Sequence, residues 1–189
     1  TVRDHFVGHS TPLIIHARVN AGLVPTDHWV HDPIEGGGRL IGEMCHFVDL
    51  QQFFTESPPI TIYASRLPST GHLVRDDENA VVTLEFADGS RGVILYSALG
   101  SPRMPKEYVE VLGDGKSARI DDFSKADIFS NSNTKKFQHR RDKGHREQFR
   151  QLINAVRAGG PAPIPLEQIA SSSLATICVI ESLAIGHPV

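Results

Sequence analysis

The run Ala80-Val81-Val82-Thr83-Leu84-Glu85-Phe86, the link Ala87-Asp88-Gly89-Ser90 and the run 91–98 that follows decide the fold. Ala80, Val82, Leu84 and Phe86 alternate with Val81, Thr83 and Glu85, and a period of two is the mark of a strand with one buried face. Asp-Gly between two such runs is a strong local signal for a hairpin. Gly113-Asp114-Gly115-Lys116 joins 108–112 to 117–120 in the same way. Ile60, Ile62 and Ala64 alternate with Thr61, Tyr63 and Ser65, residues 12–20 form a first strand, and 126–130 a further short one. The middle of the chain therefore reads as an antiparallel meander.

Helices flank it. Over 39–54, Leu40, Met44, Phe47, Val48 and Leu50 recur at helical spacing before Pro58-Pro59 closes the segment. After the polar stretch 131–142, Phe149, Leu152, Ile153 and Val156 mark an amphipathic helix ending at Gly159-Gly160. A last helix starts near Leu166, with Ile169, Ser173, Ile177, Ile180 and Ala184 on one face, and stops at Gly186-His187-Pro188. The expected class is α+β: an open-faced, mostly antiparallel sheet of about six strands with helices packed on one face. The expected organisation is a single domain over 1–189.

Composition agrees with one globular domain: 189 residues, 40% hydrophobic and 22% charged. A net charge of −3 leaves no basic footprint for nucleic acid, and Lys135, Lys136, Arg140, Arg141 and Lys143 read as a solvated loop. Cys45 and Cys178 lie in helical segments, which excludes a disulfide framework. The apolar stretches are interrupted too often to cross a bilayer and no signal-peptide layout is present, so a cytoplasmic protein without membrane contact is expected. The opening residues 1–7 read like the tail of a helix, as in a fragment of a longer chain.

Polar and ionisable residues concentrate between Asn20 and Asp49. Residues 23–38, with Pro25, His28, Trp29, His31, Asp32, Pro33 and Gly36-Gly37-Gly38, form a long loop, and long ordered loops are often functional. On the following helix Glu43 and His46 share a face, with Asp49 to the side. A carboxylate beside a histidine fixes its tautomer and raises its basicity, which suits a general acid or base. The glycine run lets backbone approach a ligand or only frees the start of the helix. Trp29 either offers its ring to a ligand or anchors the loop into the core. Arg18 and Asn20, at a strand end, are candidates for substrate hydroxyls, as is His145 at the start of a helix.

The segment Gly36-Gly37-Gly38-Arg39-Leu40-Ile41-Gly42-Glu43-Met44-Cys45-His46-Phe47-Val48-Asp49 resembles the part of the Gfo/Idh/MocA oxidoreductase family where a glycine-rich turn opens a helix bearing an Asp-x-Gly-x-His pattern and a further Asp. The resemblance runs over the whole chain, through Gly144-His145-Arg146-Glu147 to Gly186-His187-Pro188-Val189. Glu43 and Cys45 depart from that pattern, and this form is similar to a subgroup found at the C-terminal end of longer alcohol-dehydrogenase-like proteins. The resemblance implies a substrate-binding and oligomerisation domain of an NAD- or NADP-dependent dehydrogenase or reductase acting on a sugar, nucleotide sugar or polyol. It implies His46 as acid/base with Glu43 beside it. Arg18, Asn20, His28, Trp29, His31, Asp49 and His145 would meet the substrate, and Gly36, Gly37 and Gly38 the edge of the cofactor. No dinucleotide fingerprint is present, so the cofactor is assigned to a missing N-terminal Rossmann domain, and the fragment alone is expected to be inactive. Two other readings stand beside this one. One is a zinc site from His28, His31 and His46 with Glu43. The other is a dimerisation module without catalysis, using an exposed sheet face of Val81, Thr83, Glu85, Ile94, Tyr96 and Ala98, a face through which homo-oligomers are expected in either case.

Overall fold

The computed structural model describes residues 2–69 and 78–189. Its strands are β1 (Ile14–Asn20), β2 (Pro59–Arg66), β3 (Asn79–Phe86), β4 (Arg91–Ser97), β5 (Glu107–Gly113), β6 (Lys116–Asp121), β7 (Lys125–Ser130) and β8 (Asn133–Gln138). They form one sheet in the order β2-β3-β4-β1-β5-β6-β7-β8. Only β1 and β4 run parallel; the other neighbours are antiparallel. The class is the α+β open sheet expected, with eight strands rather than about six. The difference lies mainly in β8, whose residues are all exposed. An edge strand carrying Lys135 and Lys136 buries neither face, so it shows no alternation to read.

Three helices complete the fold: α1 (Arg39–Thr55), α2 (His145–Ala158) and α3 (Leu166–Ile185), with short 3-10 turns at Arg3–His5 and Trp29–His31. α1 buries Leu40, Met44, Phe47 and Val48 against the inward residues Ile15, Ala17, Val19, Val82, Leu84 and Ile94. Gly92 is the residue without a side chain inside this row. A Cβ there would lie 1.8 Å from Gln51 Oε1. Gln51, fully buried, donates from Nε2 to the Val93 carbonyl at 3.1 Å and so fastens α1 to the sheet.

Two faces differ from the sequence reading. Val81 pairs with Leu95, Thr83 with Val93 and Glu85 with Arg91, so the outer face of β4 carries Val93, Leu95 and Ser97. Ile94, Tyr96 and Ala98 are buried instead. β4 is apolar on both sides, and alternation in such a strand cannot choose between them. The buried side of α3 is likewise Ser172, Ala175, Thr176, Val179 and Ser182, while Ile169 and Ile177 are exposed. Small residues win because backbone comes close there: Ser182 Oγ accepts the Ala64 N–H of β2 at 2.9 Å and donates to the His187 carbonyl at 2.7 Å. By length and composition α3 is also apolar enough to span a bilayer, contrary to the reading of interrupted apolar runs, although its small-residue face packs on α1 and β2.

Candidate functional site

α1 positions the site by splitting its polar residues between two directions. Successive residues turn about 100° around a helix axis, so Gly42, His46 and Phe53 fall within about 60° of one another. This stripe lies opposite the buried one. His46 is exposed, and no described side chain hydrogen-bonds to it. Beside it Gly42 leaves open space, since a Cβ there would meet nothing within 4 Å.

Glu43 points elsewhere. Its Oε1 accepts from Arg39 Nη2 at 3.2 Å, and its Oε2 from Lys106 Nζ at 3.4 Å. The expected pairing of Glu43 with His46 is therefore not formed. The two residues are offset by about 60° on the helix, and two cations hold the carboxylate. In an Asp-x-Gly-x-His spacing the acidic position is the fourth before the histidine, which is Gly42 here. Burial alone would push the Glu43 carboxyl up, but Lys106 and Arg39 together hold it below the usual carboxylate range. Burial and the neighbouring Glu43 charge push the Tyr96 phenol well above its ordinary value.

Arg39 is the centre of a buried polar hub. Its guanidinium donates to the carbonyls of Gly22 at 2.6 Å and Ala21 at 3.3 Å, and lies 3.6 Å from Glu78 Oε1 and 5.6 Å from the Tyr96 ring centroid. His31 Nε2 stands 3.6 Å from the same Glu78 oxygen, with both side chains almost wholly buried. Sequence reasoning placed Tyr96 on the exposed sheet face and gave Arg39, Glu78 and Lys106 no role. One signal was available: a cation at the first residue of a helix opposes the helix dipole and needs another reason to be there.

The remaining candidates spread out. Asp49 accepts from Gln168 Nε2 at 3.2 Å and ties α1 to α3. Arg18 donates to the Pro105 carbonyl, and Asn20 to those of Ser101 and Met104, so both brace the 99–106 loop from the helix-free side of the sheet. His28 caps the turn at Trp29–His31 by accepting the Val30 N–H at 3.2 Å. Trp29 itself is 60% exposed with the His28 ring centroid 5.7 Å from its own, which removes it as a core anchor. His145 is exposed at the start of α2. Among the described residues no three His, Cys, Asp or Glu side chains gather as a metal would need, so His28, His31 and His46 do not form the zinc site considered.

The model of the GFO/IDH/MocA C-terminal domain matches residues 9–119. The chain belongs to the GFO/IDH/MocA family. No curated protein matches it by sequence. Among solved structures it is similar to an NAD binding oxidoreductase from Klebsiella pneumoniae (TM-score 0.80, 14% identity, covering 100% of this chain and 61% of that one). It is similar too to aldose-aldose oxidoreductase from Caulobacter crescentus complexed with glycerol (0.76, 12%, 100% and 57%). A third is the UDP-N-acetylglucosamine 3-dehydrogenase GnnA from Acidithiobacillus ferrooxidans (0.74, 15%, 94% and 55%). At these identities the likeness is one of fold, and the chain spans little more than half the length of those proteins.

A GFO/IDH/MocA domain invites the question of whether these residues fit a nicotinamide dinucleotide. The glycine run does not form an open cradle. A Cβ on Gly36 would lie 2.5 Å from the Trp29 carbonyl oxygen and from Val30 Cα, and Gly37 and Gly38 have φ of 66° and 96°. At Gly36 the close approach that requires glycine is made by the chain's own turn at Trp29–His31, which leaves no room for a dinucleotide against that residue.

Proposed function

We propose that this chain is the substrate-side domain of an oxidoreductase that acts on a hydroxyl of a sugar, nucleotide sugar or polyol, with His46 as the acid/base. NAD or NADP would be held by a dinucleotide-binding half outside these residues. The observation that carries the reading is His46 itself. It stands exposed on a helix whose opposite side is locked into the core, with open space at Gly42 beside it. When an alcohol is oxidised its hydroxyl proton must leave, and an exposed imidazole can take it as a neutral base and return it in the reverse direction. The exposed Trp29 offers a face for a sugar ring.

Two surfaces support a larger assembly. α2 buries none of its residues, yet Phe149, Leu152, Ile153 and Val156 form one apolar stripe, which the dinucleotide-binding half would cover. On the helix-free side of the sheet, Ile14, Tyr63, Val81, Leu95 and Leu112 are exposed together and would pair with a second copy. Leu95→Glu places a charge within that face, and sedimentation should then show monomers; an unchanged oligomer would remove the sheet as the interface.

The direct test is turnover by the full-length protein with NAD and with NADP on a panel of sugars, nucleotide sugars and polyols. Reduction of either cofactor by a panel member is the expected result. A protein that holds the cofactor yet oxidises none of them, and reduces none of the matching ketones, overturns the reading.

A further inference from the structure

We infer that Glu43 and Lys106 form the element that recognises a second hydroxyl of the substrate, next to the one that reacts at His46; this rests on the oxidoreductase reading above. The two side chains lie 3.4 Å apart, 30% and 36% exposed, so the pair is neither sealed nor free in solvent. Glu43 is one helical turn before His46 on α1. Lys106 closes the 99–106 loop, and the Asn20 N–H donates to its carbonyl at 2.7 Å, which fixes the base of the side chain at the end of β1. The buried Arg39 occupies the other carboxylate oxygen and sets the direction of Glu43.

The chemistry of the pair selects its ligand. An ammonium has three donors and Lys106 commits one to Glu43, while a carboxylate has lone pairs beyond those two bonds. Acceptor and donors therefore stand side by side. A hydroxyl, which both donates and accepts, satisfies the two at once. A phosphate or carboxylate at the same spot would have its attraction to Lys106 offset by Glu43, and an ammonium its attraction to Glu43 offset by Lys106. The matching ligand is an uncharged polyol position.

Deoxy analogues test this in the full-length protein. The probe is whichever of D-glucose, UDP-N-acetylglucosamine and myo-inositol is turned over best, together with its monodeoxy forms, assayed with wild type, Lys106→Met and Glu43→Gln. Wild type should reject one monodeoxy form by at least about tenfold in kcat/KM, because a group built for a hydroxyl is left unpaired without it. In Lys106→Met that rejection should shrink towards one while the other analogues keep their order, a pattern that a merely structural ion pair would not give. Should Lys106→Met fail to fold, Glu43→Gln, which keeps the shape of the side chain, carries the same comparison. Equal discrimination by wild type and variant sinks the inference and leaves the function standing. Absence of turnover on all three probes sinks it as well, and points to the function rather than to the pair.

Discussion

His46→Ala and His46→Gln, made in the full-length protein, are expected to lower kcat/KM by about 10²–10⁴-fold, the range for loss of a general acid/base. Both variants should melt with wild type, because His46 is exposed and the core side of α1 is carried by Leu40, Met44, Phe47 and Val48. Glutamine separates the roles: it keeps hydrogen bonds to a hydroxyl but cannot take its proton, so binding should survive better than turnover. If both stay fully active, the histidine is structural and this domain contributes an interface rather than chemistry.

Arg39→Met is expected to cost about 3–5 kcal/mol in denaturant unfolding, as when one partner of a buried ion pair is removed. Arg39 is 3% exposed, and methionine would fill much of its volume without its charge. Among the described residues Glu78 would keep a buried carboxylate with His31 beside it, and the carbonyls of Gly22 and Ala21 would lose their donor. Arg39→Lys should recover only part of the loss, since one ammonium cannot reach both carbonyls and Glu43 in the way a planar fork does. A loss below about 1 kcal/mol for Arg39→Met, the scale of an exposed ion pair, would show that the hub is not the buried pair described.

The class of fold was legible because alternation in β2, β3 and β5 and the Asp-Gly links leave little choice, and α1 follows from its apolar spacing. The sequence does not say which side of β4 or α3 is inside: β4 is apolar on both faces, and α3 buries Ser172, Ala175, Thr176 and Ser182 while Ile169 and Ile177 stay exposed. The helical reading of α2 holds, but among the described residues its apolar stripe stays exposed. At the site, the exposure of His46 follows from its place opposite the apolar stripe. The partner of Glu43 did not follow, because Lys106 is 63 residues away in sequence and Arg39 was seen only as part of a helix start. The glycine run reads either as open to a ligand or as a free helix start, and only the fold shows Gly36 packed against the turn at Trp29–His31.

The position of β1 bears on how the chain reaches its native state. Ile14 pairs with Arg91 on one side and Leu112 on the other, so β1 waits for two partners that emerge far later. A sheet closed by its earliest segment has a high share of non-local pairings, and such topologies fold slowly. Until β5 arrives, Ile15, Ala17 and Val19 have no completed layer to enter, and this interval is when a nascent chain is most exposed to aggregation or to a chaperone.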